Sequence, residues 1–209
     1  DSEYTITKIP VGKYVLFETK APNGYVTAEP LYFEIVETNK EQFFMIKNTK
    51  TTVTLSKMDN ASNILTGAEY AIYDESQFDA ELNLIENAEP IANWVSAESA
   101  ETFRGVASGK YLFVETKAPA GYVTGDPVLV EVKDINENQM FAFINKPTHV
   151  GIYKVDAKTG DTVAGAELEL YNAADYVNGE FIGEPIDKWT TTLELKEFNA
   201  LPVGKYIVR

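Results

Sequence analysis

Gly109–Tyr122 reads GKYLFVETKAPAGY, and the chain writes it almost twice more: Gly12–Tyr25 is GKYVLFETKAPNGY and Gly204–Arg209 is GKYIVR. In an extended strand side chains alternate between faces, so Tyr111, Phe113 and Glu115 share one face. Tyr14, Leu16 and Glu18 share the corresponding face in the earlier copy. A glutamate therefore stands where its aromatic neighbours mark the buried side, which is costly unless the carboxyl is paired or neutral. The Ala-Pro-Ala-Gly and Ala-Pro-Asn-Gly stretches that follow are turn chemistry, with proline fixing φ and glycine free to take φ > 0.

Other markers repeat at nearly the same interval. Lys13, Lys110 and Lys205 stand 97 and then 95 positions apart. Glu89-Pro90-Ile91 with Trp94 returns as Glu184-Pro185-Ile186 with Trp189, and Thr66-Gly67-Ala68-Glu69 as Ala164-Gly165-Ala166-Glu167. A period near 96 residues suits one small β-sandwich of about 100 residues. The expected organisation is all-β: the closing part of one sandwich over 1–48, a complete one over 49–147, and the opening part of a third over 148–209. In the first part, strands are expected over Val11–Glu18, Leu31–Val36 and Phe43–Asn48, with Phe44, Ile46 and Asn48 facing inward. In the complete unit Val53, Leu55 and Lys57 share the apolar face of the first strand, Ala68, Tyr70 and Ile72 that of the second, and Phe141, Phe143 and Asn145 that of the last. Residues 74–101 are acidic and irregular, with a short helix or hairpin expected before Trp94. In the third part Ile152 and Lys154 share a face, Ala166, Leu168 and Leu170 repeat the second strand, and Asn178-Gly179 marks a hairpin.

Composition removes several classes of function. The 209 residues carry a net charge of -14 and no basic patch, so a nucleic-acid partner is not expected. No apolar run is long enough to insert in a membrane. Nothing has the make-up of a secretion signal or an anchoring tail, so the expectation is either an internal piece of a longer chain or the removal of such segments. Cysteine is absent and His149 is the sole histidine, which argues against disulfides, a zinc site or a histidine-based triad. No metal and no cofactor is expected.

Three polar residues of the complete unit occupy apolar-face positions: Lys57, Glu115 and Asn145. A lysine desolvated in an aromatic core loses its proton more readily, and the free amine is a nucleophile. A carboxyl buried beside it favours its neutral form and can hydrogen-bond a carboxamide, polarise its carbonyl and shuttle protons. The product is a Lys57–Asn145 amide, with ammonia released.

The Tyr-x-Phe-x-Glu-Thr-x-Ala-Pro-x-Gly-Tyr stretch resembles the E-box of collagen-adhesin B-type domains, the prealbumin-like sandwiches of Gram-positive pilins and surface adhesins. The resemblance implies spontaneous intramolecular isopeptide bonds between a first-strand lysine and a last-strand asparagine, assisted by the E-box glutamate. On this chain the matching residues are Lys57, Glu115 and Asn145. In the flanking parts they are Glu18 with Asn48 on one side and Lys154 on the other, their partners lying outside this chain or in another copy. The implied function is a rigid stalk or fibre segment of an exported surface protein, extracellular, joined to further copies of the same domain. It is not an enzyme beyond one self-modifying turnover. Neither a sortase wall signal nor a pilin lysine motif occurs in these residues, so the resemblance does not extend to a pilus subunit.

Other readings stay open at this point. Glu115 before its turn can serve only backbone donors, and Asn145 before Lys146-Pro147 can merely end a strand. Asp59–Asn63 and Asp156–Asp161 lack the ligand spacing of an EF-hand and read as turns. Trp94 and Trp189 read as packing residues sooner than as carbohydrate platforms. At the level of function the rivals are a ligand-binding adhesin module, contacting matrix protein or glycan through 74–101 and 172–192, and spacer domains of a larger extracellular enzyme. A host matrix or glycan ligand would otherwise be met elsewhere in the parent protein. The incomplete ends admit complementation between copies, with Lys154 bonding Asn48 of a neighbour. Head and tail both carry the Pro-Val-Gly-Lys-Tyr strand, however, so continuation of the chain in both directions is the expectation.

Overall fold

The computed structural model describes residues 4–209; residues 1–3 of the expected first part lie outside the described residues. In the head, β1 (Gly12–Leu16), β2 (Tyr25–Val26), β3 (Leu31–Ile35) and β4 (Thr49–Lys50) form two small antiparallel pairs, β1 with β3 and β2 with β4.

The middle unit is a two-sheet sandwich. Its strands are β5 (Thr52–Asp59), β6 (Glu69–Asp74), β7 (Ala92–Val95), β8 (Glu101–Arg104), β9 (Gly109–Lys117), β10 (Val128–Val132) and β11 (Asn138–Asn145). One sheet has the order β10-β9-β6-β7, the other β11-β5-β8. The first and last strands lie side by side and parallel, Thr52 opposite Asn138 and Asp59 opposite Asn145. Between the sheets pack Val53, Leu55, Ala68, Tyr70, Trp94, Phe113, Val130, Val132 and Phe143. Each fully buried large apolar side chain is worth about 1.5–3 kcal/mol. The rings of Tyr70 and Phe143 lie 5.0 Å apart, and those of Phe113 and Phe143 4.9 Å. Trp94 is one of the core residues, stacked on Tyr70 at 5.4 Å. Trp189 meets Phe198 edge-on at 5.6 Å.

Of the helix or hairpin expected before Trp94, no helix forms, and the hairpin is reduced to a single antiparallel bridge. Residues 75–91 form turns closed by a Phe78–Leu84 bridge. They fold over the outer face of the larger sheet, where Ala71, Tyr73 and Leu112 are buried against Phe78, Leu82 and Ala88. The two central strands are thus covered on both faces. The only helical turn among the described residues is the 3-10 turn Ala173–Asp175.

The tail comprises β12 (His149–Ile152), β13 (Glu167–Asn172), β14 (Tyr176–Val177), β15 (Glu180–Phe181), β16 (Asp187–Thr190), β17 (Lys196–Asn199) and β18 (Tyr206–Val208). Its sheets are β16-β13-β18 and β12-β17. Asn178 and Gly179, at φ 53° and 90°, turn the β14–β15 hairpin as their sequence demands.

Two expectations for the flanking parts fail for one reason. Residues 43–48 form no strand, and Phe44 and Ile46 are 43% and 36% exposed. Lys154 lies beyond the end of β12 and is exposed. In the middle unit β11 has a single neighbour, β5, and the far half of β5, which carries Lys57, runs past its pairing with β8 and is laddered only by β11. Among the described residues the head has no counterpart of β5 and the tail none of β11. An alternating pattern with no partner strand stays irregular, because its backbone groups bond to water instead. For the same reason Leu16 is exposed and Glu18 only half-buried, since no second sheet covers their face.

The three parts share local bonds that fix the E-box strand and the loops beside it. Tyr14, Tyr111 and Tyr206 each donate a hydroxyl to the carbonyl four residues earlier, at 2.9, 2.9 and 2.5 Å. Gln42 and Gln139 each clamp one backbone unit, accepting from and donating to Val36 and Lys133 respectively.

Candidate functional site

Strand alternation carries Lys57 inward behind Val53 and Leu55, and Asn145 inward behind Phe141 and Phe143. Parallel pairing then brings both ends together. The Lys57 Nζ donates to Asn145 Oδ1 and, at 2.8 Å, to the Tyr70 hydroxyl. Glu115 arrives from the opposite sheet, where β9 sets it directly across from Tyr70. Its Oε1 is 3.2 Å from Lys57 Nζ. Asn145 Nδ2 donates to both carboxyl oxygens, at 3.0 and 2.9 Å. The Lys57 and Glu115 side chains are 1% and 0% exposed. Among the described residues no buried side-chain nitrogen or oxygen lacks a partner.

Burial pushes the Lys57 amine below its usual value, against the opposing charge and hydrogen bond of Glu115. Burial, and then Glu115, raises the Tyr70 hydroxyl, which therefore stays protonated and available to the amine. A nucleophile-forming amine thus lies against a carboxamide whose nitrogen, the leaving group, is held by a carboxyl. That arrangement can transfer an acyl group. In such a transfer the Nζ–Cγ bond would form, the Cγ–Nδ2 bond would break, and Glu115 would carry a proton from Nζ to the departing ammonia.

Two members of the site escaped the sequence reading. Tyr70 read only as an inner-face aromatic. Gly125 donates its N–H to Glu115 Oε2 at 2.5 Å, and a β-carbon there would stand 3.3 Å from Asn145 Oδ1 and 3.5 Å from Glu115 Oε2. The signal for Gly125 was present: Tyr-Val-Thr recurs at 25–27 and 122–124, and Ala28, the next residue in the head, donates to Glu18 Oε2 at 2.7 Å.

The head holds half of this site. Asn48 Nδ2 donates to Glu18 Oε2 and, at 3.0 Å, to the Val26 carbonyl, but no lysine joins them among the described residues. In the tail, Lys154 has neither a carboxyl nor a carboxamide partner among the described residues, and its carbonyl accepts from Val163. Asp59 and Asp156 spend their carboxylates on their own turns. Asp59 Oδ1 takes the N–H groups of Ala61 and Asn63 at 2.8 and 2.9 Å, and Asp156 Oδ1 those of Lys158 and Thr159 at 2.8 and 3.0 Å.

Among solved structures the chain is similar to the Bacillus anthracis TIE protein, with 27% identity over 96% of this chain and 36% of that one, at a TM-score of 0.51. It thus spans about a third of that protein's length. A streptococcal ancillary pilin matches at 19% identity over 95% of this chain and 65% of that one, with a TM-score of 0.39. The major pilin subunit BcpA of Bacillus cereus matches at 20% identity over 62% and 41%, also at 0.39. No curated protein sequence matches. The SpaA family, described as a prealbumin-like fold domain, matches three times, over residues 1–50, 51–147 and 148–209. The chain belongs to the SpaA family of prealbumin-like fold domains and carries three copies of it.

Proposed function

We propose that this chain is a segment of a structural stalk or fibre of an exported Gram-positive surface protein, built as one complete sandwich between two partial ones. Its middle unit closes itself with an amide between Lys57 and Asn145, promoted by Glu115. The observation that carries this reading is the fully buried cluster of those three side chains, which links the first strand of the unit to the last. Glu18 and Asn48 play the corresponding parts in the head, awaiting a lysine from outside this chain or from another copy. Lys154 does so in the tail, awaiting an asparagine. The activity is a single self-modification, with no turnover of a substrate. The partners are further units of the same kind.

Intact mass tests it. Purified protein is expected to be lighter than its sequence by one ammonia, and Glu115→Ala to restore the full mass. Folded protein at the full sequence mass refutes the bond and the function built on it.

A further inference from the structure

The turn that follows the E-box glutamate ends on a buried glycine in both complete copies, Gly24 and Gly121. The sandwich itself does not bury them; the next unit does. Thr51, the first residue after the head, donates its N–H to the Gly24 carbonyl at 3.1 Å and accepts from Gly105 N–H at 2.9 Å. Its hydroxyl bonds the carbonyls of Val106 at 2.5 Å and Gly24 at 3.3 Å. Thr148 repeats all four bonds at the next boundary. Its N–H donates to Gly121 at 2.8 Å, its carbonyl accepts from Ala200 at 2.9 Å, and its hydroxyl bonds Leu201 at 2.5 Å and Gly121 at 3.1 Å. The contact is too close for any side chain. A β-carbon on Gly24 would stand 2.3 Å from the Gly105 carbonyl oxygen, and one on Gly121 2.1 Å from that of Ala200.

The receiving side is also a repeated structure. Gly105 and Ala200, which face the glycines, have left-handed backbones at φ 80° and 60°. Lys8 holds the equivalent position in the head and has φ 63°, with no turn seated on it among the described residues. Only glycine takes this conformation freely, so Lys8 and Ala200 hold it because the unit imposes it. The socket is built into each unit before a neighbour arrives. At the first boundary Asp134 adds a further tie, its carboxylate accepting the Thr27 N–H at 2.8 Å and hydroxyl at 2.5 Å.

We propose that the E-box turn is a coupling surface as well as a support for the glutamate. Its glycine seats in the left-handed socket of the following unit, a single threonine pins the two, and consecutive units are fixed in one orientation by the same joint. This is independent of amide formation, because none of the joint residues belongs to the Lys57–Glu115–Asn145 cluster.

The chain has no cysteine, so cysteines placed at the exposed Glu131 and Thr190 can carry spin labels across the second joint. The doubly labelled parent is expected to give one narrow distance distribution by pulsed electron paramagnetic resonance. Thr148→Val removes the hydroxyl and keeps the shape. It should broaden the distribution strongly, since losing the one hydroxyl donor that the two carbonyls share moves the seated–unseated balance by roughly tenfold. Gly121→Ala should broaden it too, whereas Thr148→Ser should restore the parent width. The deficit of one ammonia against each protein's own sequence mass should be the same in all four proteins. A broad distribution in the parent, or widths unchanged in both Thr148→Val and Gly121→Ala, overturns the joint. Equal broadening by Thr148→Ser and Thr148→Val overturns the role given to the hydroxyl.

Discussion

Lys57→Met separates the covalent tie from the core it sits in. Lys57 and Asn145 stand 88 positions apart, so an amide between them closes a loop of that length. By the chain-entropy relation for a cross-link, such a loop costs the unfolded state about 4.5 kcal/mol at 25 °C. The substitution also changes the packing. A thioether in place of the amine adds apolar burial worth ~1–2 kcal/mol, while the buried Glu115 carboxyl and Tyr70 hydroxyl lose the nitrogen they face at ~1–3 kcal/mol. These two terms oppose each other at similar size, so the loop term decides the outcome. A unit of about 100 residues shifts its midpoint by about 4–8 °C per kcal/mol, which gives a drop of roughly 20–35 °C for the middle transition. Scanning calorimetry reads the midpoint, and limited proteolysis should show cleavage spreading into residues 51–147. A middle transition within a few degrees of the parent's would refute the argument that the tie dominates the stability of this unit.

Other perturbations reach different parts of the chain. Gly125→Val is expected to push Asn145 from Glu115 and leave a fraction of the protein at full sequence mass, while Gly125→Ala, which copies Ala28 of the head, should react almost as the parent does. Ala200→Gly should stabilise the tail by about 1 kcal/mol, because the left-handed backbone is free for glycine and strained for alanine; slower amide exchange in β17 and β18 would register it. Lys188 first, then Tyr171 and Arg209, hold the Glu169 carboxyl at about 2, below the usual 4.5. A depressed carboxyl stabilises the fold above its unfolded value and loses that contribution as pH falls. The β16-β13-β18 sheet should therefore weaken from about pH 4.5 down to about pH 2, and Glu169→Gln should flatten that part of the profile of tail stability against pH.

What could be read in the sequence was whatever depends on strand parity. Val53, Leu55 and Lys57 alternate, as do Phe141, Phe143 and Asn145, so the polar intruders stood out against the apolar faces. Parity alone did not say that they meet; that expectation came from the chemistry of the three groups and from the family resemblance, and it depends on β5 and β11 lying parallel and adjacent although their paired residues stand far apart in the chain. The failed strand at 43–48 teaches the same thing from the other side. Its pattern matches that of 140–145 closely, yet a ladder is a property of two strands and the head has only one of them. Tyr70 was hidden by its chemistry: an aromatic on an inner face is ordinary, and nothing local says that its hydroxyl will meet an amine. The second core beneath residues 75–91 was hidden by irregularity, since Phe78, Leu82 and Ala88 follow no period. The joints were hidden differently again. Gly24 and Gly121 are fully accounted for as turn glycines, at φ 79° and 85°, and the neighbour pressed against them appears only in three dimensions.

The position of the proposed amide also decides what a pulling force meets. The chain enters the middle unit at Thr51 and leaves it after Asn145, and these points lie at opposite ends of the β5–β11 pair. Tension between them runs along the parallel ladder, and without a tie it would have to be borne by those hydrogen bonds loaded together. With the amide in place, force travels from Thr52 along β5 to Lys57, crosses to Asn145, and leaves through Pro147. Residues 58–144 then carry none of it, so the aromatic core and both sheets stay unloaded. The next element along the path is Thr148. Beyond a covalently closed unit, the weakest point of such a rod is therefore the joint, where one threonine and one glycine hold by hydrogen bonds and close packing alone. The proposed amide would protect the middle unit from being opened, while the proposed joint would fix how the rod bends under load.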